Sequence, residues 1–563
     1  MVLAYKKRLG DILVSSGKIT NTQLQEALNV QKALGKKLGE ILVASNIISE
    51  DEIVECITKQ TGIESINLNT VAFDKRVFNF VSENLCNKYI LIPFGFKDNK
   101  IKVALSDPLN IFAIDDVTIS SSFEVESFIA NKEDIQKFIK VYYSSKEVSI
   151  AAEQLSIERD LKEKKELDID NITDINNAPV VKMVDFLFKN AVDMRASDIH
   201  IEPFEKYIRI RYRIDGELQT VNTLSIGSLS ALVTRIKILA SLNIAEKRIP
   251  QDGRIITRVG TSDVDLRVSI LPIVNGEKIV VRILNRTSYS VGRERLAMGE
   301  ENFKKLDRII ANPYGIVLVT GPTGSGKSTT LYTILNELNK DDVNIVTVED
   351  PVEYALEGVN QVNLHTKAGL TFSTGLRSIL RQDPDIVMIG EIRDDETAQI
   401  ATKAAITGHL VLSTLHTNDA ASSILRLVDM GVEPYLVSSS IAGVIAQRLV
   451  RKICPHCKES YKASESEKRA LIDNIDKELI LYRGTGCGYC NNTGYLGRAG
   501  VYEIMEINRE IRDLISNDEN SNKLKDAAIK NGMSTLAKDG KRLVIEGVTT
   551  MQQLATITMV ITD

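Results

Sequence analysis

Eight residues constrain this chain more than any other stretch. Gly321, Pro322, Thr323, Gly324, Ser325, Gly326, Lys327 and Ser328 follow the apolar run Gly315-Ile-Val-Leu-Val-Thr and precede an apolar helical pattern over 329–338. A strand, a glycine-rich turn and a helix in that order let backbone N–H groups wrap a β-phosphate at a helix N-terminus. Lys327 is spaced to reach the β- and γ-phosphates and the Ser328 hydroxyl to hold Mg²⁺, with Thr329 beside it. An α/β domain that binds a nucleoside triphosphate is therefore expected.

Three further apolar runs of buried-strand type follow, over 345–348, 386–389 and 410–412, each separated by helical sequence. With 316–319 they predict a mostly parallel sheet covered on both faces. Two of the runs end in carboxylates: Glu349 and Asp350 after the second, and Glu391 after the third, where Gly390 takes the place usually held by the acidic residue. At the same sheet edge as the phosphates, one cluster would orient water and the other support the metal. Singly, either would serve as an N-cap for the next helix. His409 and His416 flank the fourth run, both where a γ-phosphate sensor would stand, although a lone histidine more often fills a structural hydrogen bond.

The six cysteines divide into Cys454-Pro-His-Cys457, Cys487-Gly-Tyr-Cys490 and the isolated Cys56 and Cys86. Two Cys-x-x-Cys turns predict a four-sulfur zinc site, closed and structural, rather than a disulfide framework. The thioredoxin-like context that a redox pair needs is missing from the sequence.

At 563 residues the chain exceeds one hydrophobic core, so several domains are expected. Residues 1–65 carry a repeat at an offset of 29: Arg8, Leu9 and Gly10 through Gln31, then Lys37, Leu38 and Gly39 through Gln60. Thr20 and Ser49 are the expected N-caps of paired helices. An α+β remainder is expected over 66–145 and a charged linker over 146–177, with Glu158 to Asp170 nearly all polar. A sheet domain is read over 178–288, where Arg209, Arg211 and Arg213 alternate on one strand face and Arg267 and Arg282 interrupt apolar strands. Arginine in such places commonly pairs with carboxylate or phosphate, and Arg254 belongs to the same question. The remainder, 289–563, holds the triphosphate domain with a cysteine insert at about 451–498.

Lys+Arg of 70 against Asp+Glu of 75 leaves a formal charge of −5, which argues against a nucleic-acid partner. No stretch approaches the roughly 18 apolar residues of a membrane span, and no signal peptide is evident, so a cytoplasmic chain is expected.

Taken in order, the phosphate loop, Val-Glu-Asp-Pro-Val-Glu over 348–353, Gly-Glu-Ile-Arg over 390–393 and the segment 408–418 resemble the secretion ATPases of the type II/type IV pilus family. Ala196-Ser-Asp-Ile-His-Ile-Glu-Pro, Arg211-Tyr-Arg-Ile-Asp-Gly, Pro250-Gln-Asp-Gly-Arg and Gly532-Met-Ser-Thr-Leu extend the likeness along the chain. The glycine before Glu391 is normal in that family. The resemblance implies a PAS-like second domain, a RecA-like C-terminal domain, a homohexamer, and an inner-membrane platform protein as partner, with the ring peripheral on the inner face of the membrane.

The same resemblance implies that Glu349 activates water, Glu391 holds the Mg²⁺ water, and Arg267 and Arg282 close on the γ-phosphate, leaving Arg254 open. The cysteine insert and long N-terminal region favour assembly of a type IV pilus, with type II secretion the alternative cargo. A ring that binds nucleotide as a scaffold, or a conjugation-type ATPase acting on DNA, are the readings from other classes. The N-terminal repeat is similar to modules that bind cyclic di-GMP between two such motifs. Here Lys37 stands for arginine, Asn46 for glycine and Lys18 for an apolar residue. A helical repeat that docks on the platform without a ligand is the alternative.

Overall fold

The computed structural model describes parts of 10–58 and, apart from single positions, residues 63–143, 179–285, 292–472 and 478–558. The expected linker over 146–177 lies outside the described residues, as do Ser49, Arg8, Leu9, Lys37 and Gln60.

Near the N-terminus, α1 (Asn21–Leu34) and α2 (Leu38–Ala44) pack about Leu13, Ile19, Leu24, Ile41, Leu42 and Ile48. Leu13 and Leu42, like Ile19 and Ile48, are equivalent positions of the repeat, so the repeat is written into the core. Thr20 caps α1 as expected: the Gln23 backbone N–H donates to Thr20 Oγ1 at 3.3 Å, and the Thr20 N–H donates back to Gln23 Oε1 at 2.9 Å. Next comes a three-stranded sheet, β1 (Leu91–Lys97), β2 (Lys100–Leu105) and β3 (Glu124–Ile129), antiparallel then parallel, over an aromatic-rich core.

The second sheet is wholly antiparallel, in the order β6-β5-β4-β9-β8-β7. Its strands are β4 (Asp198–Pro203), β5 (Tyr207–Ile214), β6 (Glu217–Ser225), β7 (Gln251–Val259), β8 (Ser262–Ile273) and β9 (Gly276–Asn285). Helix α3 (Pro179–Asp193) lays Val184, Leu187, Phe188 and Ala191 into its core at helical spacing. The Tyr212 hydroxyl, buried beneath that helix, donates to Leu187 O at 2.8 Å.

Alternation along β5 does put its arginines on one face, and two carboxylates of β4 meet them: Arg213 lies 3.5 Å from Asp198, while the other two share Glu202. Arg209 and Arg211 both donate to Glu202, at 3.1 and 2.8 Å, with Lys278 at 3.1 Å. Burial alone would raise the Glu202 carboxyl, but Arg211 and Lys278 outweigh it and hold the group at about 2.

In the C-terminal part, a seven-stranded sheet runs β12-β11-β13-β14-β10-β15-β18. The four expected runs are its centre: β10 (Gly315–Thr320), β11 (Ile345–Glu349), β13 (Ile386–Ile389) and β14 (Leu410–Leu415), parallel and buried throughout. The reading of apolar runs missed β12 (Asn360–Asn363), β15 (Ile441–Ile453) and β18 (Tyr495–Glu506), the last antiparallel to β15. The short hairpin β16 (Lys458–Lys462) and β17 (Ile480–Gly484) sits between those two in sequence. The mixed α/β class expected from sequence is what the chain adopts. Among the described residues no helix is long and apolar enough to cross a membrane.

Replacing Glu202 with glutamine leaves two arginines and a lysine around a neutral amide and is expected to destabilise the second sheet by about 3 kcal/mol at pH 7. Because the folded carboxyl sits at about 2 against an ordinary 4.5, its contribution is present above pH 4.5 and fades as pH falls toward 2. Thermal unfolding of both proteins across that window checks it: the gap in Tm should narrow with acid.

Candidate functional site

β10 is buried on both faces and delivers the chain to the loop 321–326, from which α4 (Lys327–Leu338) leaves. Two glycines make this turn possible. Gly321 has φ 148°, and a Cβ there would stand 2.4 Å from Gln447 O and 2.6 Å from Ser325 Oγ; at Gly326, φ 90°, it would stand 2.8 Å from Gln447 Nε2. Gln447 on β15 thus backs the loop, and its Oε1 accepts from Thr330 Oγ1 at 2.7 Å. Sequence reading missed Gln447, because nothing near it in the chain marks the contact.

Lys327 curls over the loop and donates to Gly321 O at 2.8 Å and Pro322 O at 3.1 Å. Burial lowers its pKa, with Glu391 opposing and Arg448 adding. Pro322, Thr323, Gly324, Ser328 and Thr329 are exposed at the mouth, whereas Ser325 is 3% exposed and its Oγ has no partner. An orphaned buried hydroxyl inside a glycine cradle at a helix N-terminus fits a phosphate-bearing ligand.

The two acidic strand ends adjoin. A Cβ on Gly390 would lie 3.4 Å from the Glu349 α-carbon, so the glycine between β13 and Glu391 lets the chain pass close to β11. Thr414 on β14 steadies that turn by donating to Gly390 O at 2.7 Å. Glu391 is paired with Arg393 at 2.5 Å and with His416 Nε2 at 3.3 Å. Burial would raise its carboxyl, but Arg393 and His416 together bring it below the ordinary value.

Glu349 is more enclosed than the sequence implies. It is 4% exposed and accepts from Thr347 Oγ1 at 2.6 Å, from Gln361 Nε2 at 3.1 Å and from the Tyr332 hydroxyl. Tyr332, on α4, also accepts from the Glu353 backbone N–H at 3.3 Å. Burial, then the charge of Glu349, pushes the Tyr332 phenol up.

The two histidines separate. His416 follows the C-terminal end of β14 and meets Glu391, whereas His409 precedes β14, its Nδ1 3.0 Å from Ala404 O. Six strand residues at about 3.3 Å each put His409 roughly 20 Å from the phosphate edge. Its expected place beside a γ-phosphate is corrected: it closes the turn after the helix Asp395–Ile406.

The three arginines come together. Arg254, Arg267 and Arg282 are consecutive cross-strand partners on β7, β8 and β9, and Asp198 on β4 continues the rung. Arg282 pairs with Asp198 at 3.1 Å and Arg254 with Asp265, while Arg267 crosses to the C-terminal part, 3.3 Å from Glu353 and 3.4 Å from Val352 O. Between this rung and residues 351–357 lies a cleft of about 1460 Å³. In this conformation Arg267 reaches that wall, while Arg254 and Arg282 stay paired within their own sheet.

Cys454, Cys457, Cys487 and Cys490 converge with all four sulfurs within 4.8 Å of one another. Adjacent Sγ separations are 3.7, 3.8 and 3.9 Å. Sulfurs about 2.3 Å from a tetrahedral zinc stand roughly 3.8 Å apart, so the set fits that ion. Burial would raise the Cys490 thiol, but N–H groups of Cys487 and Gly494, each 3.2 Å from its Sγ, bring it below the usual value.

Of the N-terminal candidates, Gly10, Gln31, Leu38 and Gly39 are described. A Cβ at Gly10 would stand 2.7 Å from Leu24 Cδ1 and 3.4 Å from Leu38 Cδ2, so close packing already accounts for that glycine.

Residues 173–556 match the family described as type II/IV secretion system protein, and residues 61–149 match the MshEN domain. The type IV pilus assembly ATPase PilB of Myxococcus xanthus is 41% identical over 557 residues, 97% of this chain and 98% of that one. The type II secretion system protein E of Pseudomonas aeruginosa is 50% identical over 383 residues, 68% of this chain and 76% of that one. In fold, the chain is similar to the ATPase DotB of Legionella pneumophila, with TM-score 0.50 and 23% identity over 67% of this chain and 95% of that one. With its phosphate loop, adjoining strand-end glutamates and arginine rung, the chain belongs to the type II/IV secretion system family, and it is an ATPase of the kind that serves pilus assembly and type II secretion.

Proposed function

We propose that the chain works as a cytoplasmic homohexamer, peripheral on the inner face of the membrane, which hydrolyses ATP to drive an inner-membrane platform protein and so assemble a type IV pilus. The observation that carries this reading is the arginine rung facing, across an open cleft, the segment 351–357 that follows the strand-end carboxylate Glu349. Closing the PAS-like unit on the RecA-like sheet would transfer Arg267 and Arg282 from Glu353 and Asp198 to the γ-phosphate, so that nucleotide binding and domain movement become one event. Ser328 and Glu391 are the residues that would hold Mg²⁺, which would supply charge neutralisation at the phosphates.

Glu349 is the proposed base. Its carboxylate is spent on Tyr332, Thr347 and Gln361 in the open cleft. Because Tyr332 also accepts from the Glu353 N–H, displacing Glu353 from Arg267 would disturb the hydrogen bond that engages the base. Turnover would thereby wait on closure. His416, on Glu391, is the proposed reporter of the γ-phosphate.

The near full-length match to a pilus assembly ATPase favours pilin as cargo, with type II secretion the alternative. We also propose cyclic di-GMP as a regulator at the N-terminal repeat, supported by the repeat itself and by the MshEN match beside it.

Glu349→Gln is expected to lower kcat by about 10²–10⁴ while ATP still binds; phosphate release at the normal rate removes Glu349 as base. Arg282→Ala should cost about 10³ in turnover, with Asp198 still held by Arg213 and Ser197, and an unchanged rate would dismiss closure of the rung on the phosphate. Calorimetric titration of the full chain with cyclic di-GMP should give saturable heat that is lost in Arg8→Ala, whereas no heat at tens of micromolar leaves the repeat a structural one.

A further inference from the structure

The two residues between the second pair of cysteines are half-buried against another part of the chain. They are Gly488 and Tyr489, in the tight turn Gly488–Cys490, and both meet the N-terminal α+β unit. A Cβ at Gly488 would stand 2.1 Å from Phe138 Cζ and 3.2 Å from Asn69 Oδ1, so the backbone of this turn lies directly against that unit. The Lys137 ammonium sits 3.0 Å from the Tyr489 ring centroid, and its Nζ is buried with no hydrogen-bond partner. Asp134 accepts from Asn69 Nδ2 at 3.0 Å, and burial, then the charge of Asp134 beside the Tyr489 hydroxyl, raises that phenol.

Tyr489 is held from the other side by the first cysteine pair. His456, from Cys454-Pro-His-Cys457, stacks on its ring at 3.8 Å and 16°. At those distances lysine and histidine cannot share one face, so Tyr489 is sandwiched between the N-terminal unit and the first knuckle. We propose that the metal-binding knuckles form the docking face for the N-terminal α+β unit, so that the metal decides whether that unit stays seated on the C-terminal domain.

Two physical reasons tie the dock to the metal. Four thiolates around one divalent cation carry roughly two net negative charges, a field that favours a buried ammonium nearby. The same four bonds hold the two Cys-x-x-Cys turns against each other, and with them the stacked pair His456 and Tyr489. Without the metal, sulfurs at 3.7 to 3.9 Å have no common partner, and the turns are free to separate. The occupant is this chain's own segment 131–139 with 67–70, and the role is distinct from the ATPase reading.

Photo-crosslinking in the full chain tests this. A benzophenone side chain at the exposed Gln136, which lines the junction with Tyr489, should capture the peptide 487–496. Lys137→Glu and Gly488→Val should each lower the yield about tenfold, the loss expected from reversing a desolvated cation–π contact or wedging the turn. Removing the metal with a strong chelator should do the same. Metal content, read by atomic emission, should stay at the wild-type level in Lys137→Glu, which lies outside the metal site. Undiminished crosslinking in the metal-free chain, or in Lys137→Glu, overturns the proposal. If chelation unfolds the C-terminal domain, the metal-loaded Lys137→Glu protein decides by itself.

Discussion

The approach of the phosphate loop to β15 is the constraint on which the C-terminal domain depends. With 2.4 Å between Gln447 O and any Cβ at Gly321, only a bare backbone can pass there, and the loop must turn at once into α4. That fixes where the N-terminus of α4 points and hence where Lys327 and Ser328 stand. It also fixes Tyr332 one turn further on, so the loop and the Glu349 carboxylate share a single rigid helix.

Hydrogen bonds around the strand ends then set two glutamates to different states. Glu391 keeps cationic company in Arg393 and His416 and is held as carboxylate near the loop mouth. Glu349, one strand over, is sealed by three neutral donors. A carboxylate with all its donors in place is a poor base until one of them leaves. Tyr332 is the donor placed to respond, since it also accepts from the backbone beside Arg267's partner, Glu353. The cleft, the arginine rung and the buried Glu349 form one connected arrangement that spans two sheets.

The cysteine insert follows another logic. Its sulfurs lie at metal spacing, yet its intervening residues are occupied with recognition: Gly488 by lacking a side chain, Tyr489 by offering a ring face to Lys137. A metal bound by these sulfurs and an interdomain contact would thus use the same four-residue turn. The backbone geometry that the ligands impose is the geometry against which Phe138 packs.

Features whose chemistry lies within a few consecutive residues were legible in the sequence. The loop 321–328, the four buried runs, the Thr20 cap with Gln23, the paired cysteines and the alternation of Arg209 and Arg211 all declare themselves by spacing, because backbone periodicity and local hydrogen bonds act over that range. Tertiary structure decided the rest. Whether His409 or His416 meets Glu391 depends on the direction of β14, and whether Arg254, Arg267 and Arg282 form one rung depends on the register of three strands. The Tyr332 and Gln361 donors to Glu349, the Gln447 support of the loop and the Lys137 seat on Tyr489 join residues that are not neighbours in the chain. Such contacts come from the packing of whole sheets, which leaves no local pattern at either partner.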